Sequence, residues 1–455
     1  MQLPKKFLDR MEKLLGCEFD EFENELSRPA VKGLRINSLK CEDEQLLNSI
    51  GFKLTPLSYV KGGYIIDNPD GIGNTPEHHC GSFYVQDPGA MSAVAALDVK
   101  PGMYVADLCA APGGKSTQLA SLIGHEGFIL SNEYVPKRAK ILVSNFERMG
   151  IRSYVITSLD TKELSKLYSG VFDIVVADAP CSGEGMFRKD VPAIEEWSEE
   201  NIAVCRERQK EILDNAAALV KSSGYLLYST CTYSLEENEM TVDSFLASHP
   251  EFELVPVKEE LLSKTSDGIV FDGAFAKNLN LCRRFYPHKA KGEGQFVALM
   301  KKIQGDMQTF LYKDAAKAPS KEETVAVENF FSENLYKRPE GRIAKYGENL
   351  VLISNKLPIP PRSVFSAGVL IGEIKGRVLV PSHQFFSAYG KLFIRQEDIT
   401  DEATVKRYLS GEEIDAKSGT GTGFISILWR GTALGGGKLV GGKIKNHYPK
   451  GLRIR

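Results

Sequence analysis

The sequence predicts an α/β protein: an open, largely parallel sheet in the middle of the chain, a small N-terminal α+β region and a β-rich C-terminal module. Three observations lead there. Val171-Phe172-Asp173-Ile174-Val175-Val176-Ala177 and Gly224-Tyr225-Leu226-Leu227-Tyr228 are apolar runs of the kind found in parallel strands buried on both faces. A third run, Met103 to Cys109, is followed by a glycine turn and the start of a helix. Beyond residue 366 the pattern changes to short strands separated by glycine pairs and triplets.

The first segment, residues 1–75, opens with Phe7, Leu8, Met11, Leu14 and Leu15 at helical spacing, then Gly33-Leu34-Arg35-Ile36-Asn37. A stripe of this kind is by itself ordinary core packing. His78-His79-Cys80 has no partner cluster at metal-ligand spacing and reads as a loop between domains, so no metal is expected.

Residues 76–303 carry the chemistry. Open α/β sheets build their sites at the carboxyl ends of the strands. After the strand ending near Asp107, Cys109-Ala110-Ala111-Pro112-Gly113-Gly114-Lys115 forms a tight turn into a helix, the usual geometry for a nucleotide-like ligand. It is not a phosphate loop: that pattern needs glycine where Cys109 stands, and Pro112 stiffens the turn. Glu133, about twenty residues beyond Gly113, suits ribose hydroxyls. Asp160 closes the run Ser153 to Leu159 and would reach the same ligand. Lys115 opposes the dipole at a helix N-terminus and wants a reason for being there; the plain alternative is a first exposed helical residue.

Cys181, in Asp178-Ala179-Pro180-Cys181-Ser182-Gly183, and Cys231, in Ser229-Thr230-Cys231-Thr232, each follow a strand, so both thiols would face one crevice. A free cysteine is usually a small buried hydrophobe. Two of them following two strands, with Asp178 three residues before one, point to a reactive pair. Cys109 has no comparable context and reads as packing beneath the loop.

Asp107-Leu108-Cys109-Ala110-Ala111-Pro112-Gly113-Gly114-Lys115, Asp178 through Met186, and Tyr228-Ser229-Thr230-Cys231-Thr232-Tyr233-Ser234 resemble, in order, the signature segments of the Nol/Nop/Sun family of RNA 5-methylcytosine methyltransferases. The likeness extends to Phe83 through Met91 and to Gly294 through Leu299, about half the chain in all. Within that family, the length and the glycine-rich basic end are most similar to the RsmF (YebU) group acting on 16S ribosomal RNA. The resemblance implies a Rossmann-like methyltransferase domain using S-adenosyl-L-methionine, with Cys231 as nucleophile and Cys181 aiding release of the RNA. It also implies that Asp178 contacts the base and approaches the cofactor, that Glu133 holds the ribose and Asp160 the adenine, and that Cys109 to Lys115 line the cofactor. The 1–75 segment would guide RNA, and the C-terminal end resembles a PUA-type RNA-binding module.

The chemistry explains the thiols. Carbon 5 of cytosine is too weak a nucleophile to attack the methyl donor until a thiolate adds at carbon 6. Afterwards the carbon 5 proton must leave and the cysteine must be expelled, which a second acid/base group assists. Residue types alone leave Cys181 and Cys231 interchangeable.

Residues 304–365 read as a polar linker, a helix starting after Ser320, and a small insert around Asn349 to Ile353. In 366–455, Arg377 to His383, Lys391 to Ile394 and Phe424 to Trp429 look like strands, the last feeding a turn at Gly435-Gly436-Gly437. Formal net charge is −2, so any RNA contact must be local. The final residues offer one: Arg430, Lys438, Lys443, Lys445, Lys450, Arg453 and Arg455, with no acid among residues 430–455. Eight cysteines without metal spacing, no hydrophobic leader and no membrane-length apolar run suggest a cytoplasmic enzyme. A monomer is expected. Two other functions remain in view: a transfer RNA cytosine-5 methyltransferase, and a non-catalytic RNA-binding ribosome assembly factor. Intact Cys181 and Cys231 speak against the second.

Overall fold

The structure, a computed structural model, describes residues 3–305, 312–354, 358–417 and 419–454; Arg455 lies outside them. Its centre is a ten-stranded sheet. Five strands run parallel, in the spatial order Tyr154–Thr157, Phe128–Asn132, Tyr104–Asp107, Phe172–Asp178, Val220–Thr230. The order reverses beside Tyr104–Asp107, which opens a crevice at the carboxyl ends of the neighbouring strands. Gln295–Lys302 continues the sheet antiparallel to Val220–Thr230.

These strands are apolar because both faces are covered. Ala106, Val175, Leu226 and Tyr228 pack against the helices Thr161–Leu167, Glu199–Leu219 and Glu239–Ser248. Val105, Ile129, Ile174 and Leu227 pack against Pro88–Ala95, Gly114–Ile123 and Pro136–Arg148. On the far edge, Val364–Ala367 pairs antiparallel with Tyr154–Thr157 and so covers an otherwise open strand. That strand spans the position, between 365 and 366, where the sequence suggests a module boundary.

The N-terminal strands Gly33–Ile36, Leu54–Pro56, Gly63–Ile66 and Phe83–Gln86 form a separate antiparallel sheet, whose fourth strand lies past residue 75. Arg35 ties it to the central domain: its guanidinium donates to Thr117 Oγ1 at 2.8 Å and to Gln86 Oε1 at 3.3 Å. The helices Lys5–Leu15 and Phe19–Leu26 pack elsewhere. Phe7 meets the Phe187 ring at 5.0 Å and Phe22 the Tyr233 ring at 5.2 Å, so the expected stripe is indeed core, buried on segments just downstream of the two cysteines.

After Ser320, the helix Lys321–Asn334 begins with a capping box made with Glu323. It belongs with a four-stranded sheet containing Arg342–Tyr346, Asn349–Ile353, Val369–Lys375 and Val378–Pro381. The C-terminal sheet holds five strands in the order Gln396–Ile399, Gly423–Trp429, Thr432–Val440, Lys443–Asn446, Ile414–Asp415. Two expectations fail here. Gly390–Leu392 is a short 3-10 turn rather than a strand, and it drops Phe393 into the core against Phe386, ring centres 4.8 Å apart. Gly435 to Gly437 is not a turn but the middle of the Thr432–Val440 strand; the turn is at Arg430 and Gly431, both with positive φ.

The glycines are there for clearance. A Cβ on Gly436 would overlap the Phe386 ring, and one on Gly435 would lie 2.5 Å from the Tyr408 hydroxyl. Phe386 is 1 % exposed and cannot yield. Gly436→Ala is therefore expected to cost about 1–3 kcal/mol by overpacking. Urea unfolding of the full chain should show the midpoint fall; an unchanged midpoint would remove this account of the glycine run.

Candidate active site

The carboxyl ends of all five parallel strands bring the sequence-predicted residues to one edge. Asp107 ends the first, Cys109 to Gly113 follow it, Glu133 follows Phe128–Asn132 directly, and Asp160 comes three residues after Tyr154–Thr157. Asp178 ends Phe172–Asp178, with Cys181 three residues on, and Cys231 follows Val220–Thr230 directly. The two sulfurs are 3.2 Å apart and both cysteines are half-buried.

Beside them lies an ion pair. Lys115 Nζ is 2.8 Å from Asp178 Oδ2, and Asp178 Oδ1 accepts from Ser229 Oγ at 2.7 Å and from Gln295 Nε2 at 3.5 Å. Burial opposes the charge on Lys115, yet attraction to Asp178 outweighs it and raises the ammonium above the ordinary lysine value. This is the reason a cation sits at that helix N-terminus. The Cys181 thiol is pushed well above the ordinary cysteine value, first by its hydrogen bond with Cys231 and then by burial. Cys181 is thus held as the thiol beside Cys231.

The turn before Lys115 is a cradle. Gly113 has φ +118°, a left-handed value that favours glycine, and serves as N-cap of Gly114–Ile123. Asp107 is 1 % exposed; its Oδ2 accepts from Ser116 Oγ at 2.6 Å, whereas Oδ1 is buried without a partner. Burial pushes its carboxyl up to about 7, against the lowering from Ser116. Glu133 is buried, with Oε1 accepting from Val135 N at 2.9 Å and Oε2 lying 3.4 Å from the mostly exposed Arg138. Asp160 is exposed and caps the next helix through Lys162 N at 2.8 Å. Cys109 packs its side chain on the core under the loop, and burial raises its thiol. A glycine cradle, a buried strand-end carboxylate and an unpartnered buried carboxylate oxygen together suit a polar nucleoside-like ligand.

Two residues unmarked by the sequence reading hold the thiols together. Glu184, three residues past Cys181, reaches the other loop: its Oε2 accepts from Thr232 Oγ1 and from Tyr233 N, both at 2.9 Å. Glu237, six residues past Cys231, reaches back: Oε1 accepts from Ser182 N at 2.9 Å and Oε2 from Ser182 Oγ at 2.5 Å. Ser182 Oγ and Thr232 Oγ1 also lie 2.9 Å apart. Nothing local in the sequence distinguishes Glu237 from Glu236 or Glu239. His78 and His79 end a one-turn helix, and His79 Nδ1 pairs with Tyr448 Oη at 2.9 Å. Among the described residues no metal-holding cluster forms and no helix is long and apolar enough to cross a membrane.

This strand order, with its glycine turn and strand-end acids, defines a methyltransferase-type α/β domain. A methyltransferase homologue from Pyrococcus horikoshii superposes with a TM-score of 0.58 at 29% identity, over 66% of this chain and 95% of that one. Residues 94–301 match the family described as 16S rRNA methyltransferase RsmB/F, residues 3–88 the N-terminal domain of 16S rRNA methyltransferase RsmF, and 399–454 the RsmF PUA domain. The chain is 30% identical over 468 aligned residues to ribosomal RNA small subunit methyltransferase F of Vibrio vulnificus (strain YJ016), covering 99% of this chain and 97% of that protein. The counterpart from Cronobacter sakazakii (strain ATCC BAA-894) is 35% identical over 66% of this chain and 63% of its own length. The chain belongs to the RsmF family.

Asp107 sets a pH test. A carboxyl whose folded pKa is raised is stabilising to the fold below its unfolded value near 4 and loses that contribution as pH rises through about 7. At about 1.4 kcal/mol per pKa unit the change amounts to a few kcal/mol. Asp107→Asn lacks this titration, so its urea midpoint is expected to gain on the parent between pH 5 and pH 8. A difference that stays constant over that range would show Asp107 to be ionised throughout.

Proposed function

We propose that this chain transfers a methyl group from S-adenosyl-L-methionine to carbon 5 of a cytosine in 16S ribosomal RNA through a covalent bond between Cys231 Sγ and carbon 6. The observation that carries the proposal is the pair of sulfurs 3.2 Å apart at neighbouring strand ends, beside the Lys115–Asp178 ion pair. Membership of the RsmF family and the three motif segments support the same substrate class. When bound, the cofactor supplies an electrophilic methyl group. Residues 109–115 would line it, Glu133 would accept from its ribose hydroxyls, and Asp160 would face its adenine. Asp178, held by Lys115 and Ser229, would contact the target base at the side toward the cofactor.

The bonds then account for both thiols. Cys231 Sγ joins carbon 6, which lets carbon 5 take the methyl. Carbon 5 now holds both a methyl and a hydrogen. Loss of that proton returns an electron pair to the carbon 5–carbon 6 bond and expels Cys231. Cys181, whose proton is retained by contact with Cys231 and by burial, gives it to the departing sulfur, and the thiolate left behind takes the carbon 5 proton. Cys181 ends as it began, and Cys231, which attacked as the thiolate, ends as the thiol, whose proton passes to solvent before the next turnover.

RNA would lie across the crevice and reach the C-terminal sheet. There Lys438 and Lys445 are exposed cross-strand neighbours on inner strands of the sheet, with Lys443 exposed beside Glu413 at 3.6 Å, and would provide phosphate contacts that the net charge of −2 does not.

The thiols separate in a single assay. Cys181→Ala, incubated with the cofactor and a 16S ribosomal RNA transcript, is expected to methylate once and remain attached, giving a slow protein–RNA band on a denaturing gel. Cys231→Ala is expected to give no band and no transfer while still binding the cofactor. The reverse pattern would exchange the two roles, absence of a band from both would remove the covalent step, and trapping on transfer RNA alone would replace the substrate.

A further inference from the structure

Between them the two cysteine loops exchange supports. Glu184, on the Cys181 side, grips the Cys231 loop at Thr232 and Tyr233. Glu237, on the Cys231 side, grips Ser182, the residue bonded to Cys181. Gln209, from the long helix Glu199–Leu219, completes this second grip: its Nε2 donates to Pro180 O and to Glu237 Oε1, each at 3.0 Å. The residues flanking Cys181 are therefore both held, one by Glu237 directly and the other through Gln209. Glu237 is 0 % exposed, forms no ion pair with any described residue, and touches the Cys181 loop rather than the Lys115–Asp178 end of the site. Burying a carboxyl with no cation beside it is costly. In a purely structural role, an uncharged amide oxygen could accept from the same donors.

We propose that Glu237 is a positioning residue that acts through Cys181, so that it governs release of the methylated RNA and not the attack by Cys231. The inference rests on the covalent reading above and deepens it. The Cys231 loop has its own supports in Glu184 and in Asn238, whose Oδ1 accepts from Thr230 Oγ1 at 2.6 Å and whose Nδ2 donates to Thr232 O at 3.0 Å. Loss of the Glu237 carboxylate would leave Ser182 N and one side of Gln209 without their acceptor, with Ser182 Oγ kept only by Thr232 Oγ1, while leaving these contacts in place. Cys181 would then drift from the position where it hands a proton to the departing sulfur. A displacement of about 1 Å at a reacting group slows its step roughly 10²-fold.

The test follows the first turnover and the lifetime of the protein–RNA band, with a 16S ribosomal RNA transcript and methyl-labelled cofactor. Glu237→Ala is expected to incorporate the first methyl at the parent rate and then to keep the band roughly 10²-fold longer than the parent. Glu237→Gln preserves shape and one acceptor and is expected to release at an intermediate rate. Glu184→Ala should fail in the opposite sense, with slow incorporation and little band. Gln209→Ala provides a second route to the Cys181 loop should Glu237→Ala not fold, and is expected to lengthen the band as well. The proposal is overturned if these Glu237 and Gln209 variants lose incorporation and release together, or if they release at the parent rate. Cys181→Ala run alongside separates the two claims: if it fails to trap RNA, the covalent reading has failed, whereas trapping by Cys181→Ala and not by the Glu237 variants rejects only the positioning role.

Discussion

Two sulfur atoms held 3.2 Å apart are the constraint on which the rest of the site depends. Their strands are neighbours in a parallel sheet, yet strand pairing fixes only backbone, and both cysteines lie beyond the last paired residues. The remaining distance is set by hydrogen bonds that cross from one loop to the other: Thr232 and Tyr233 to Glu184, and Ser182 to Glu237, with the two hydroxyls 2.9 Å apart. Hydrogen bonds to charged groups contribute about 1.5–3 kcal/mol each, and those left unmade in a buried place cost comparably. Such a network tolerates one arrangement far better than its neighbours, which is what two groups sharing a proton require.

The outer parts of the chain reinforce that arrangement. The N-terminal helices bury Phe7 and Phe22 on Phe187 and Tyr233, which lie just past the two cysteines, and on Trp197, whose indole Nε1 donates to Glu184 at 2.9 Å, so this end of the chain forms part of the wall behind the thiols. Lys40 joins three regions at once: its ammonium donates to Ser387 Oγ at 3.0 Å, to Ala433 O at 2.9 Å and to Arg148 O at 3.4 Å. Burial lowers that group to about 8. Trp429 Nε1 donates to Glu77 at 2.8 Å, a further tie between the C-terminal sheet and the N-terminal region. An RNA bound, as proposed, at the basic C-terminal end would thereby be held in a fixed relation to the crevice.

Much of this was legible in the sequence, for a definite physical reason. Parallel strands buried on both faces must be apolar throughout, so runs such as Val171 to Ala177 declare themselves, and the residues after them necessarily fall at one edge. The helix after Ser320 was legible because its cap is local, made by Ser320 and Glu323. The glycine triplet misled because glycine marks two different things, freedom in a turn and clearance beneath a neighbour, and only the distant Phe386 and Tyr408 decide between them. Glu237 was illegible on similar grounds: its partner Ser182 is remote in sequence, and a polar stretch with several glutamates does not say which one turns inward. Asp107 stood inside a recognised motif without a stated task; its isolation becomes visible only once Oδ1 is seen buried without a partner.

The central claim is that Cys231, and not Cys181, bonds carbon 6 of cytosine. Fluorine at carbon 5 cannot leave as a proton does, so an RNA transcript carrying 5-fluorocytosine would hold the unmodified enzyme at the bonded stage after methyl transfer. Digestion of that complex and mass spectrometry of the attached peptide should find the nucleotide on Cys231, with Cys181 recovered as a free thiol. Attachment at Cys181, or a complex with no nucleotide on either cysteine, would contradict the account.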